Sequence, residues 1–298
     1  MALMVSSSLG SQTGAAIGAL AFPVLGPVGV VAVRQWVAGV ILLAVGRPRL
    51  RSFGRQEWVP VIGLAVVFAA MNVSLYTAID RVGLGLAVTL EFLGPLSVAL
   101  VGARTATSAG PRRTLTTICA LLAGAGVVVL TRPQPTTDYV GVGFGLLAAV
   151  CWAGYILLNR TLGQRVPGVE GSAAAGALSA LVYVPVGIAI LIAHPPTPAA
   201  LACALAAGVL SSVVPFLADL LALRRVPAHS FGIFMSLSPV FAAAIGAAFL
   251  GEALAAVDWL AVGLIVSANA VAVVVTPKVT ASQAEDVPVV AAVAPQPN

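Results

Sequence analysis

Residues 171–193 read GSAAAGALSALVYVPVGIAILIA, twenty-three consecutive positions without a charged side chain. A helix of about 20 apolar residues crosses the hydrocarbon core of a bilayer, whereas a strand takes only about 5–6 residues. This run therefore reads as a membrane-spanning helix. The whole chain has the same character, since 60% of its 298 residues are hydrophobic and 8% are charged. A soluble domain carries roughly 25% charged residues, and so little charge cannot coat a soluble globule of this size. The apolar residues lie in long Ala, Val, Leu and Gly runs, unlike the alternating ~10-residue pattern of membrane strands. The expectation is an all-α integral membrane protein.

Cutting the chain at charged and Pro-rich breaks predicts ten transmembrane helices. The first five lie at 3–24, 28–46, 58–79, 83–103 and 112–131, the second five at 139–159, 170–193, 199–223, 229–250 and 256–275. The two sets define units 1–131 and 139–275. Residues 276–298 lack a helix-length apolar run and are expected to form a disordered cytoplasmic tail. No basic segment precedes the first span, which argues against a cleaved signal peptide. Cys119, Cys151 and Cys203 sit in or beside apolar runs without CxxC spacing, so neither a metal site nor a disulfide framework is expected.

With the N-terminus in the cytoplasm, twelve of the fifteen basic residues fall inside: Arg47, Arg49, Arg51, Arg55, Arg104, Arg112, Arg113, Arg160, Arg165, Arg224, Arg225 and Lys278. Only Arg81 and Arg132 fall outside, and Arg34 lies within a span, so the positive-inside rule places both termini in the cytoplasm. The net charge of +5 thus describes topology and implies no nucleic-acid partner. At an offset of 144 residues Arg81-Val82 meets Arg225-Val226, Leu93 meets Leu237, Pro95 meets Pro239 and Ala99 meets Ala243. Two units with an odd number of spans point in opposite directions, the inverted-repeat plan of many secondary transporters.

Arg34, Glu91 and Asp219 lie within predicted spans. A charge at mid-bilayer costs about 2.5–3.5 kcal/mol on the insertion scale, so each needs a partner, a water-filled cavity or, for the acids, a proton. The functional reading is a polar centre on a translocation path, with Arg34 facing either acid. The competing account is an ion pair that only sets helix registry, and Arg34 is also near enough to its helix start to reach the interface. Pro95 follows Glu91 by one turn and Pro215 precedes Asp219 by one turn. Each proline removes a backbone donor and leaves a carbonyl free for a passing polar group. Ser211, Pro215 and Asp219 share one helix face.

Weaker polar stripes join Ser8 with Gln12, Asn72 with Tyr76, and Trp152 with Tyr155 and Asn159. They suit hydrogen bonds to a zwitterionic solute and equally suit hydrogen bonds between helices. Gly10, Gly14 and Gly18, like Gly141 and Gly145, have GxxxG spacing for close helix packing. His194 and His229 are too isolated for a metal site and are expected to be structural or solvated.

The stretch Ala87-Val88-Thr89-Leu90-Glu91-Phe92-Leu93-Gly94-Pro95 resembles the EamA-type branch of the drug/metabolite transporter superfamily, specifically its threonine and homoserine exporters. The resemblance extends through Ser11-Gln12-Thr13-Gly14, Phe22-Pro23, Arg34, Cys151-Trp152 with Tyr155, Pro215, Phe231-Gly232, Met235-Ser236, Pro239 and Phe249-Leu250-Gly251-Glu252. It implies two inverted five-helix EamA repeats around a central cavity that opens alternately to either side. It further implies export of small amino acids driven by the proton gradient. Arg34, Glu91 and Pro95 match the family positions, whereas Asp219 stands where a glutamate is expected. Glu252 reads as a structural residue at the end of the ninth helix, before a gate.

The combined expectation is a multi-pass exporter in the bacterial inner membrane, with an amino acid and protons as partners and no cofactor or metal. Glu91 and Asp219 are its candidate proton carriers. Arg34, Gln12, Asn72, Tyr76, Trp152 and Tyr155 line the pathway, and Pro95, Pro215 and Pro239 break its helices. The alternative within the family is export of another metabolite or a drug, because a fold does not set the substrate. An enzyme is not expected, since there is no HExxH motif, Asp-rich pair or His-Cys set. Monomer and homodimer both stay open.

Overall fold

The computed structural model describes residues 2–105, 115, 118–119, 121–126, 129, 138–163, 165–166, 170–215 and 235–275, and among these described residues the main elements are helices. They are α1 (Ala2–Ala19), α2 (Phe22–Gly46), α3 (Arg55–Val82), α4 (Leu84–Glu91), α5 (Leu93–Thr105), α6 (Tyr139–Gly163), α7 (Glu170–Ala193), α8 (Pro198–Gly208), α9 (Ser238–Phe249) and α10 (Ala256–Val275). A short helical stretch at 121–126 lies between α5 and α6 in the chain. No strand occurs among the described residues. Asp219, His229 and the 276–298 segment lie outside them.

Helix is the form that satisfies every backbone N–H and C=O within one segment, as lipid requires. Helices α2, α3, α6 and α7 are long and apolar enough to cross a membrane, and the helices at 84–98, 198–213, 238–249 and 256–271 are apolar but shorter. Large side chains such as Val40, Val150 and Ile192 are 67%, 69% and 75% exposed. A soluble surface rarely tolerates so much exposed apolar area, whereas lipid accepts it.

The helix expected at 83–103 is divided in two. Phe92 takes a turn conformation between Glu91 and Leu93, three residues before Pro95. Proline has no N–H to offer the carbonyl four residues back, here that of Glu91, so the helix opens where its acid sits. Pro239 stands in the first turn of α9, just after a turn at Ser236-Leu237. Helix α8 continues into a single π turn, Val209–Val213, ahead of Pro215. Such a turn inserts one residue into the helical spacing and is often found at functional sites.

With no hydrophobic drive between helices in lipid, association rests on close packing and hydrogen bonds. Gly10, Gly14 and Gly18 bring α1 against Leu210, Ser211 and Ala207 of α8 and its π turn. Gly63 and Gly154 bring α3 and α6 together against Leu158 and Val67, and Gly141 and Gly145 seat α6 on Val82 and Leu90. The GxxxG pairs are thus packing surfaces. Leu25, Val30, Val31, Tyr76, Leu84 and Val88 of α2, α3 and α4 belong to one buried cluster that Ala16, Tyr183, Ala204 and Ala242 of α1, α7, α8 and α9 complete.

Among the described residues two exposed ion pairs join helix ends. Arg49 meets Glu170 at 3.3 Å before α3 and α7, and Arg81 meets Asp138 at 2.9 Å at the end of α3 and start of α6. Glu252 accepts the N–H groups of Leu84 and Gly85 at 2.6 and 3.3 Å, so it caps α4 from the segment after α9. Its role is structural, but it serves the start of α4 and not the end of its own helix. Gly83, with φ +85°, lets the chain turn into that cap.

Candidate functional site

A cavity of about 320 Å³ lies among the helices, lined by residues from α1, α2, α3, α4, α6, α7, the π turn that follows α8 and the start of α9. Its centre is Arg34, which is 9% exposed despite its charge. The α2 backbone carries this side chain inward, and two elements, α3 and the π turn after α8, receive it. Arg34 Nη1 donates to Asn72 Oδ1 on α3 at 2.8 Å, Nε donates to Ser212 Oγ in the π turn at 3.1 Å, and Nη2 donates to the Ser211 carbonyl at 3.4 Å. Its Cζ lies 5.0 Å from the centre of the Tyr76 ring, within cation–π range.

The Ser211 carbonyl is the one that Pro215 leaves without its usual i+4 donor. That acceptor, which Pro215 has no N–H to serve, makes part of the arginine seat. Asn72 is fixed in turn, its amide donating to the Phe68 carbonyl at 2.8 Å. Hydrogen bonds to a charged group contribute about 1.5–3 kcal/mol each, so three of them offset much of the cost of holding the guanidinium among apolar helices.

Glu91 ends α4 at the break, is 6% exposed and lines the same cavity. Among the described residues it makes neither a hydrogen bond nor a salt bridge, and Arg34 is not its ion-pair partner. Among the described residues the cavity therefore holds one cation anchored by neutral groups and one carboxyl group without a hydrogen-bond or ion-pair partner.

The remaining walls differ in chemistry. On one side Ser8 Oγ and Ser238 Oγ lie 3.1 Å apart, and Ser211 Oγ donates to the Ser11 carbonyl at 3.0 Å. On the other, Phe92 and Trp152 meet edge to face at 4.7 Å, and Phe68 and Tyr155 are 5.9 Å apart.

Of the residues singled out from sequence, Arg34, Glu91, Gln12, Asn72, Tyr76, Trp152, Tyr155 and Pro215 all line this cavity. Pro95 and Pro239 set the helix breaks beside it and do not appear in its lining. Asn159 accepts from Ser172 at 3.1 Å and serves α6–α7 packing. His194 is exposed in the loop after α7. Sequence reading passed over Ser212 and Phe68, although Ser212 adjoins Ser211 and Phe68 sits one turn before Asn72. Among the described residues no His, Cys, Asp and Glu cluster could hold a metal ion.

Residues 139–274 match the EamA-like transporter family. The chain is 34% identical over 261 residues to the threonine/homoserine exporter RhtA of Escherichia coli strain K12, covering 87% of this chain and 85% of that protein. It is 34% identical over 270 residues to the threonine/homoserine exporter RhtA of Salmonella typhimurium strain LT2, covering 90% and 88%. It is 25% identical over 232 residues to the uncharacterized transporter YwfM of Bacillus subtilis strain 168, covering 75% and 76%. A solved crystal structure with 22% identity superposes at a TM-score of 0.59 over 92% of this chain and 99% of that chain, which shows a shared fold.

Proposed function

The chain belongs to the EamA-like transporter family, and from that premise we propose that it exports small amino acids of the threonine and homoserine kind in exchange for protons. It is a multi-pass membrane transporter and not an enzyme. The proposal adds substrate, coupling and an alternating-access cycle.

One observation carries it: a guanidinium held by Asn72 and Ser212 shares a small cavity with a carboxyl group that has no partner among the described residues. A zwitterion fits that arrangement, its carboxylate on Arg34 and its ammonium on Glu91. Protonation of Glu91 removes the charge that binds the ammonium, so proton and substrate exclude each other at one group. Exclusion of this kind, with the cavity open to one side at a time, yields antiport. Asp219 is proposed as a second acid on the proton path from its place one turn after Pro215 in the sequence.

The architecture proposed is ten spans in two inverted EamA repeats, 1–131 and 139–275, followed by the 276–298 tail, with both termini cytoplasmic. Support comes from contacts that recur under the 144-residue offset. Gly10 approaches Leu210, and Gly154 approaches Val67, within one residue of the mirrored pair. Gln35 donates to Ser179 at 2.8 Å, and these two positions are 144 residues apart. A residue that touches its own counterpart lies on the axis relating two units.

The test is flux of radiolabelled threonine in proteoliposomes under an imposed pH gradient. Gradient-driven flux is expected in the natural protein and lost in Glu91→Gln, and Arg34→Gln is expected to lower threonine flux with or without the gradient. Full gradient-driven flux in Glu91→Gln would remove Glu91 from coupling. The aromatic wall of Phe92, Trp152, Phe68 and Tyr155 favours a second reading, export of a larger metabolite or drug. Competition by nucleosides or cationic dyes in the absence of amino-acid flux would select it.

A further inference from the structure

Gln12 on α1 is 7% exposed, lines the cavity and makes no hydrogen bond among the described residues. The side chain is nine-tenths buried, yet its amide is not one of the occluded polar atoms and opens into the cavity, where both its donor and its acceptor are available to a solute. Its neighbours on α1 are engaged: Ser8, one turn earlier, pairs with Ser238, and the Ser11 carbonyl accepts from Ser211. The Ser211 carbonyl in turn accepts from Arg34, so α1 joins the arginine seat one residue away from Gln12. An amide both donates and accepts, as a hydroxyl does, and two such groups pair in either sense.

We propose that Gln12 selects for a hydroxyl on the substrate side chain, pairing with it while Arg34 and Glu91 hold the two charged ends. This rests on the amino-acid reading given above. The charged ends are better served by full charges, which leaves the neutral amide for the neutral polar group. An apolar isostere of the same shape occupies the cavity but leaves the amide unpaired, and sites built to bond a hydroxyl discriminate strongly against such analogues.

The experiment compares two isosteric pairs in proteoliposomes, threonine with valine and homoserine with norvaline. The natural protein is expected to favour the hydroxylated member of each pair by about tenfold or more. Gln12→Met, of similar length and without the amide, is expected to bring both ratios close to one through loss of threonine and homoserine flux. Gln12→Ala serves as the second variant, so a folding defect in one does not remove the test. Arg34→Gln is expected to lower all four solutes alike. Ratios unchanged in either folded Gln12 variant overturn the assignment and leave the amino-acid reading standing. Absence of all four fluxes in the natural protein overturns both.

Discussion

Tyr76 is fully buried, and its hydroxyl has no hydrogen-bond partner among the described residues, although its ring supports Arg34. The ring supplies the cation–π contact and packs on Phe22 at 5.9 Å, and neither contact needs the hydroxyl. Tyr76→Phe is therefore expected to raise stability, by roughly 1–3 kcal/mol if the desolvation cost is fully relieved. Thermal melts in detergent check this, and a lowered melting temperature would mean that the hydroxyl is engaged after all. At this scale the sequence was most informative about charge. Arg34 and Glu91 stand out because a charge within an apolar span is costly wherever the helix packs. Gln12 and Tyr76 were visible only as members of polar stripes, since a neutral polar side chain in a membrane helix serves packing and binding equally well.

Among the helices, the breaks do the most to shape the site, and their prolines could be read from the sequence. The π turn in α8 could not, because an inserted residue in the helical spacing has no residue signature of its own. Helix starts offer a cleaner test. Asp138 precedes α6, accepting the Gly141 N–H at 2.9 Å and the Arg81 guanidinium at 2.9 Å. The Gly141 amide first, and Arg81 after it, hold the Asp138 carboxyl below the usual aspartate range. A lowered folded value means that the contribution to stability is present above the unfolded aspartate range and is lost as pH falls through the folded one. Asp138→Ala is thus expected to lower the melting temperature near neutral pH, and the gap from the natural protein is expected to close on acidification. A gap that widens at acid pH would contradict this cap.

For the molecule as a whole, the proposed topology places both termini in the cytoplasm. A C-terminal green fluorescent protein fusion should then fluoresce, and a C-terminal alkaline phosphatase fusion should stay inactive. The opposite pattern would require an odd number of spans or the reverse orientation. The membrane class, the long apolar spans and the costly charges were legible from residues alone, because the transfer cost of a side chain into hydrocarbon depends on its type and on the length of its run. Spacing also revealed where prolines open the helices, since that effect acts within four residues. Partnership was a different matter. Asn72 and Ser212, which hold Arg34, lie 38 and 178 residues from it in the chain. Only the packing of α2 against α3 and α8 decided that these neutral groups, rather than Glu91, receive the guanidinium. Local physics sets which groups need a partner, and the three-dimensional arrangement of helices determines which partner each one meets.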